Sequence, residues 1–314
     1  MYVALTLQQV RKPVAAAIGN FDGLHRGHQQ VLQPVLSSTI AIRTVLTFYP
    51  HPQEVLSGQP RLLLTPPQEK QQLLQQLGVE QLVQLPFTED LAVQPPHDFI
   101  ATVLEQGLQV QQLSVGWDFC FGHQRAGNAR TLADWGQQRG IQVDIIPEIQ
   151  LQGERVSSSR IRAALDQGEV SMANLLLGRG YRLEGTVVRG DQRGRQLGFP
   201  TANLQLPPEK YLPRDGVYSV WVHHPQEAQP LAGVMNVGLR PTVSGLQRTV
   251  EVHLLDWQGD LYGLYLAAEL VSFLRPEQRF DSLEALTAQI HQDCQTARQQ
   301  LYSSRGLRTP TPVG

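Results

Sequence analysis

An apolar run, Val14 to Ile18, leads directly into Gly19-Asn20-Phe21-Asp22-Gly23-Leu24-His25-Arg26-Gly27-His28. Helical spacing then begins at Val31, Leu32, Val35 and Leu36. A buried strand, a glycine-rich turn and a helix N-terminus in that order commit the first half of the chain to an α/β fold. The same order builds an anion site. Glycines let backbone N–H groups come close to a phosphate, and the helix end adds orphan donors and a positive dipole. His25 and His28 are three residues apart, so at a helix start they share a face. Two imidazoles there can donate to oxygens that gain charge in a transition state. His-x-x-His spacing is also half of a metal site. No third ligand pattern accompanies it, and the flanking glycines suit phosphate better.

The alternation continues. Strand candidates are 14–18, 40–48, 81–85, 112–116 and 141–146, with helical patterns between them. One helix carries local signals at both ends: Thr65 as N-cap, Pro66 at the first helical position, Gln68 completing a capping box and Gly78 as stop. Alternating β and α predicts a parallel sheet with helices on its faces and ligands at the carboxyl ends of the strands. After Gly178-Arg179-Gly180 the pattern becomes β-rich, with candidates at 181–189, 217–223, 231–237, 249–255 and 264–274. Val250, Val252 and Leu254 alternate with Glu251 and His253. Short strands between Gly and Pro turns predict a small barrel. A closing helix is expected from about Asp281 to Leu301, with Leu283, Leu286, Ile290, Ala297 and Leu301 as its apolar stripe. Two domains follow, 1–170 and 181–305.

With 26 basic and 28 acidic residues among 314, nothing favours nucleic acid or an anionic membrane as partner. Cys120 and Cys294 are the only cysteines and provide no disulfide framework or zinc site. No apolar stretch has membrane-spanning length, and Met1 to Val10 lacks the character of a secretory signal. The expectation is a soluble cytoplasmic protein.

Three further segments carry chemistry. Arg155-Val156-Ser157-Ser158-Ser159-Arg160-Ile161-Arg162 opens a helix, and its hydroxyls, amides and arginines suit a triphosphate, although serine is also a common N-cap. Gly116-Trp117-Asp118-Phe119-Cys120-Phe121-Gly122 follows a strand and places Asp118 to bind a nucleotide, while its aromatics favour core packing. Gly190, Gly194 and Gly198 space a loop able to close over phosphates. It runs into Phe199-Pro200-Thr201-Ala202-Asn203, where Thr201 and Asn203 project the same way from extended chain and offer hard oxygens of the kind Mg²⁺ prefers. Glu251 is the candidate base, or a plain exposed residue on a strand.

Together these motifs resemble the bifunctional riboflavin kinase/FAD synthetase family nearly end to end. Gly19–His28, Trp117–Gly122 and Ser157–Arg162 are similar to its FMN adenylyltransferase half. Leu176–Arg179, Gly198–Asn203, Gly216–Tyr218, Asn236–Thr242 and Leu261–Gly263 are similar to its kinase half. The resemblance implies a Rossmann-like nucleotidyltransferase domain with a parallel sheet, followed by a riboflavin kinase β-barrel with a closing helix. It implies phosphorylation of riboflavin to FMN and adenylylation of FMN to FAD, with ATP and Mg²⁺. The implied partners are riboflavin, FMN, FAD and ATP; with the composition speaking against nucleic acid and membrane, a weak homo-oligomer stays open. By position, Gly19, Phe21, Asp22, His25, His28, Asp118, Arg155, Ser158 and Ser159 would bind ATP for adenylyl transfer. Gly190, Gly194, Gly198, Thr201 and Asn203 would bind ATP and Mg²⁺ in the kinase, with Thr201 and Asn203 as metal ligands. Glu251, His25 and His28 would be catalytic. Two departures stand out: Ser159 replaces the usual Thr, and Gly180 replaces the usual Pro, which is expected to loosen the linker.

Overall fold

The computed structural model describes residues 1–190, 194, 198–242 and 245–305. The Asp191–Arg193 and Arg195–Leu197 stretches of the glycine loop lie outside the described residues. The chain divides into two compact units, Met1–Ser158 and Ser159–Gly314.

The first unit is built on a six-stranded parallel sheet. Its order is Tyr2–Ala4, Gln81–Pro86, Ile42–Tyr49, Val14–Ile18, Val110–Gly116 and Gln142–Ile146. From the central strand Val14–Ile18 the chain winds out one way through Ile42–Tyr49 and Gln81–Pro86. It then returns to the other side as Val110–Gly116. The switch point therefore lies between Val14–Ile18 and Val110–Gly116, and α/β proteins bind ligands at the carboxyl ends there. The turn beginning at Gly19 follows one of these strands and the Trp117 segment follows the other.

Why Val14–Ile18 is central is visible in its residues. All five are buried. Val14, Ala16 and Ile18 enter the core on one face of the sheet, and Ala15 and Ala17 enter the core on the other. The small alanines let helices approach both faces closely.

One local reading is overturned. The helix spans Pro67–Gln76, its N-cap is Pro66, and no side chain caps it. Thr65, fully buried, is engaged elsewhere. Its hydroxyl accepts from the Gly23 N–H at 2.9 Å. A tertiary partner outcompetes the local capping preference.

The second unit contains a closed antiparallel barrel, in the order Arg182–Val188, Ala202–Gln205, Gly245–Leu254, Leu231–Thr242, Gly216–His223 and Tyr265–Arg275. Closure removes the exposed strand edges. The closing helix runs Leu283–Arg305 and packs Cys294, Ala297 and Leu301 against Val217, Trp221 and Val234. Leu283, expected in its apolar stripe, is 64% exposed, because the stripe meets the barrel only further along the helix.

Helices Ser158–Gln167 and Val170–Leu177 precede the barrel. Asn174 Nδ2 donates to the Leu270 carbonyl at 2.9 Å, and Asn174 Oδ1 accepts from Tyr181 N–H at 2.8 Å. Gly180 is not slack. A Cβ there would sit 2.2 Å from Glu269 Cγ, and Glu269 is held by Arg182 at 3.0 Å and His223 at 3.2 Å. Glycine at this position serves close approach.

Candidate functional sites

In the first unit, His25 is itself the N-cap of helix Arg26–Leu36, with Nδ1 accepting from the His28 N–H at 3.2 Å. A neutral His25 therefore carries its proton on Nε2. The two imidazoles stack, with centroids 3.6 Å apart and planes at 12°. The Phe21 ring meets His28 edge-on at 5.3 Å. Phe21 and Leu24 hold positive φ, 49° and 43°, so the turn is strained at two non-glycine residues. Gly19 lies under the Phe21 ring, where a Cβ would be 3.2 Å from Cζ.

The Arg155–Ser158 segment comes to the same turn. Ser158 Oγ donates to the Asp22 carbonyl at 2.8 Å. A Cβ on Gly27 would approach the Val156 carbonyl at 3.7 Å. Two motifs more than a hundred residues apart thus meet. Asp118 and Arg155 form an ion pair with each other, and the Arg155 guanidinium lies 5.4 Å from the Trp117 ring centroid. Trp117 is 48% exposed, whereas Phe121 is buried and Phe119 packs on the core. The expected core packing of that segment therefore fails at Trp117. Ser159 is the first residue of the second unit. There Arg160 reaches Met172 Sδ at 3.8 Å and Arg162 lies over the Tyr211 ring at 5.2 Å.

The barrel forms the second cluster. Strand register sets Asn203 opposite Glu251 and Glu251 opposite Asn236, a half-buried polar row across three strands. Thr201 Oγ1 donates to Glu251 Oε2 at 3.2 Å. Val250, Val252 and Leu254 are buried on the other face. His253 Nδ1 lies 2.8 Å from the Pro200 carbonyl and fixes the Pro-Thr-Ala-Asn segment against its neighbour. The glycine loop folds back through Phe199 N–H to the Gly194 carbonyl at 2.8 Å, and Gly198 has φ +85°.

Gly190 lies directly against Asn203: a Cβ there would be 2.3 Å from Asn203 Nδ2. Gly190→Ala is therefore expected to displace the Asn203 amide at a cost of about 1–3 kcal/mol, which denaturant unfolding of the variant beside the native chain checks.

Sequence reasoning passes over Asn236, Thr65 and Lys70 as site residues. Asn236 interrupts an apolar strand between Met235 and Val237, and Lys70 shares a helix face with Leu73 and Leu74. Both are legible as polar residues on apolar faces.

A glycine turn at the switch point of an α/β sheet, followed by a barrel with a Thr/Asn/Glu cluster, is an arrangement suited to an enzyme with two nucleotide sites. The FAD synthetase family matches residues 7–160, and the riboflavin kinase family matches residues 177–301. Bifunctional riboflavin kinase/FMN adenylyltransferases of Pseudomonas fluorescens and Escherichia coli K12 are each 39% identical to this chain. The first alignment covers 93% of this chain and 94% of the relative, the second 90% and 91%. The Bacillus subtilis counterpart is 37% identical over 90% of both chains. The chain belongs to the bifunctional riboflavin kinase/FMN adenylyltransferase family. A solved Streptococcus pneumoniae structure, described as a macrolide-efflux protein, has a TM-score of 0.83, 29% identity and coverage of 94% and 98%. Among the described residues no helix is long and apolar enough to cross a membrane.

Proposed function

We propose that the two units of this chain act in succession in the cytoplasm, the barrel making FMN from riboflavin and the sheet unit converting FMN to FAD. What supports this reading is that each unit holds a polar cluster of its own and matches a different family. The Glu251 carboxylate in the barrel accepts from the Thr201 hydroxyl, whereas the carboxylates near the stacked imidazoles are engaged by the Thr65 N–H, at Asp22, and by Arg155, at Asp118.

In the kinase step Glu251 accepts the proton of riboflavin's 5′-hydroxyl. The hydroxyl oxygen bonds to the γ-phosphorus, the bond to the β-phosphate oxygen breaks and ADP leaves. Thr201 and Asn203 hold the nucleotide. Their hydroxyl and amide oxygens, beside the Glu251 carboxylate, make a hard donor set that fits Mg²⁺. Mg²⁺, when bound, neutralises charge on the phosphates. The adenylyl step needs no base, because the FMN phosphate is already anionic. Its oxygen attacks the α-phosphorus and pyrophosphate leaves. His25, His28, amides of the turn and the hydroxyl of Ser158 position the triphosphate and stabilise its charge, with Asp118 and Arg155 at the nucleotide.

Labelled ATP tests this. With γ-labelled ATP the label should enter FMN and persist in FAD. With α-labelled ATP it should enter FAD alone. Label from α-labelled ATP in FMN, or none in either flavin, would reject the scheme.

We further propose domains of 1–170 and 181–305, with the helices of 158–177 lending stability to the barrel. A fragment from Ser159 should make FMN. One from Arg179 forfeits both Asn174 hydrogen bonds, worth about 1 kcal/mol each, and should melt roughly 2–8 °C lower per kcal/mol lost. Equal melting temperatures would show that those helices add nothing to the barrel.

A further inference from the structure

The His turn is held from beneath by groups that its sequence does not reveal. Lys70 Nζ donates to the Asn20 carbonyl at 2.7 Å, and Thr47 Oγ1 reaches the same oxygen at 3.3 Å. Thr65 binds Gly23 through its hydroxyl at 2.9 Å and the Asp22 carboxylate through its N–H at 3.1 Å. Ser158 holds the Asp22 carbonyl. Lys70 and Asp22 are both buried.

This arrangement has a consequence for the anion site. In a trans peptide, C=O and N–H point in opposite directions. Drawing the Asn20 carbonyl inward onto Lys70 therefore turns the Phe21 N–H the other way, and removes a carbonyl dipole that would repel phosphate. Phe21 and Leu24 sit at positive φ, a conformation that persists only where the surroundings enforce it. A buried ammonium is an expensive way to enforce it, since leucine or methionine would fill the same space without desolvating a charge. Burial pulls the Lys70 pKa down to about 8, against the opposing influence of Asp22, the charged group facing it from the turn.

We propose that Lys70 is a positioning residue for adenylyl transfer, its ammonium clamping the Asn20 carbonyl so that the strained Gly19–His28 turn directs the Phe21 N–H toward the ATP phosphates. The inference rests on the assignment of that turn to the adenylyltransferase.

The test uses the full chain and follows both reactions in one sample, so that FMN formation serves as the internal standard. Lys70→Met should lower the kcat for FAD formation from FMN by about 10–10²-fold and leave riboflavin phosphorylation within about twofold, with the native melting profile retained. In the unaltered protein the ammonium is present below its pKa and lost above it. The kcat/KM for FAD formation should therefore decline through a one-proton limb as pH rises past about 8. The limb should be absent from FMN formation and from the residual FAD formation of Lys70→Met. A folded Lys70→Met with a full FAD rate would overturn the proposal. If that variant does not fold, a kcat/KM for FAD formation that stays flat from pH 7 to 10 in the unaltered protein would overturn it. His28→Ala in parallel separates the two claims. If His28→Ala is impaired and Lys70→Met is normal, only the Lys70 role falls. If both are normal, the assignment of the turn falls as well.

Discussion

Glu251→Gln should abolish FMN formation and spare FAD formation. The substitution keeps the shape of the side chain, so the new amide oxygen can still receive the Thr201 hydroxyl bond now made to Oε2 at 3.2 Å. What is lost is the basic oxygen. Riboflavin's 5′-hydroxyl is a poor nucleophile at neutral pH, and a positioned general base contributes about 10²–10⁴-fold. That is the expected loss. The neighbouring Val250 and Val252 are buried and the strand stays paired on both sides, so folding should be unaffected. Conversion of supplied FMN to FAD belongs to the other unit and should continue at the native rate. Near-native phosphorylation by a folded Glu251→Gln protein would remove Glu251 as the base.

His28→Ala should do the reverse. The ring stacks on His25 and meets the edge of Phe21, but the helix cap is His25 Nδ1, which accepts from the backbone N–H of His28. Alanine keeps that N–H. The turn is therefore expected to stay formed while one donor to the reacting phosphate disappears, and such donors are worth about 10²–10³-fold. FMN should accumulate. His25→Ala is a poorer experiment because it removes the ring and the cap together, and the cap alone is worth about 1 kcal/mol of stability. A FAD rate in His28→Ala within twofold of native would contradict the assigned role.

Much of this architecture is readable in the sequence, because the elements announce themselves locally. Val14–Ile18 is bounded by its own glycine turn. The alternation of Val250, Val252 and Leu254 with Glu251 and His253 predicts which side chains the barrel buries, and the buried valines agree. What stays hidden is everything that depends on distant partners. Tyr2–Ala4 is a strand only because Gln81–Val83 lies beside it. Ala202–Gln205, four residues long, places Asn203 opposite Glu251, a pairing that no local pattern reports. Thr65 has every local mark of a helix cap and serves the His turn instead. Asp118 and Arg155 read as two separate nucleotide ligands, and the structure pairs them with one another. Composition at each position reveals the chemistry available; only the fold decides which group receives it.

The central claim is that one chain carries two separable catalytic sites joined by a diffusing intermediate. Complementation tests it most directly. Glu251→Gln and His28→Ala proteins are incubated with riboflavin, Mg²⁺ and ATP, singly and mixed, and the flavins are separated by chromatography. Glu251→Gln alone should leave riboflavin unchanged, and His28→Ala alone should stop at FMN. The mixture should produce FAD after a lag in which FMN rises and falls. A mixture that stops at FMN would contradict the account, as would either variant that makes FAD from riboflavin by itself at the native rate.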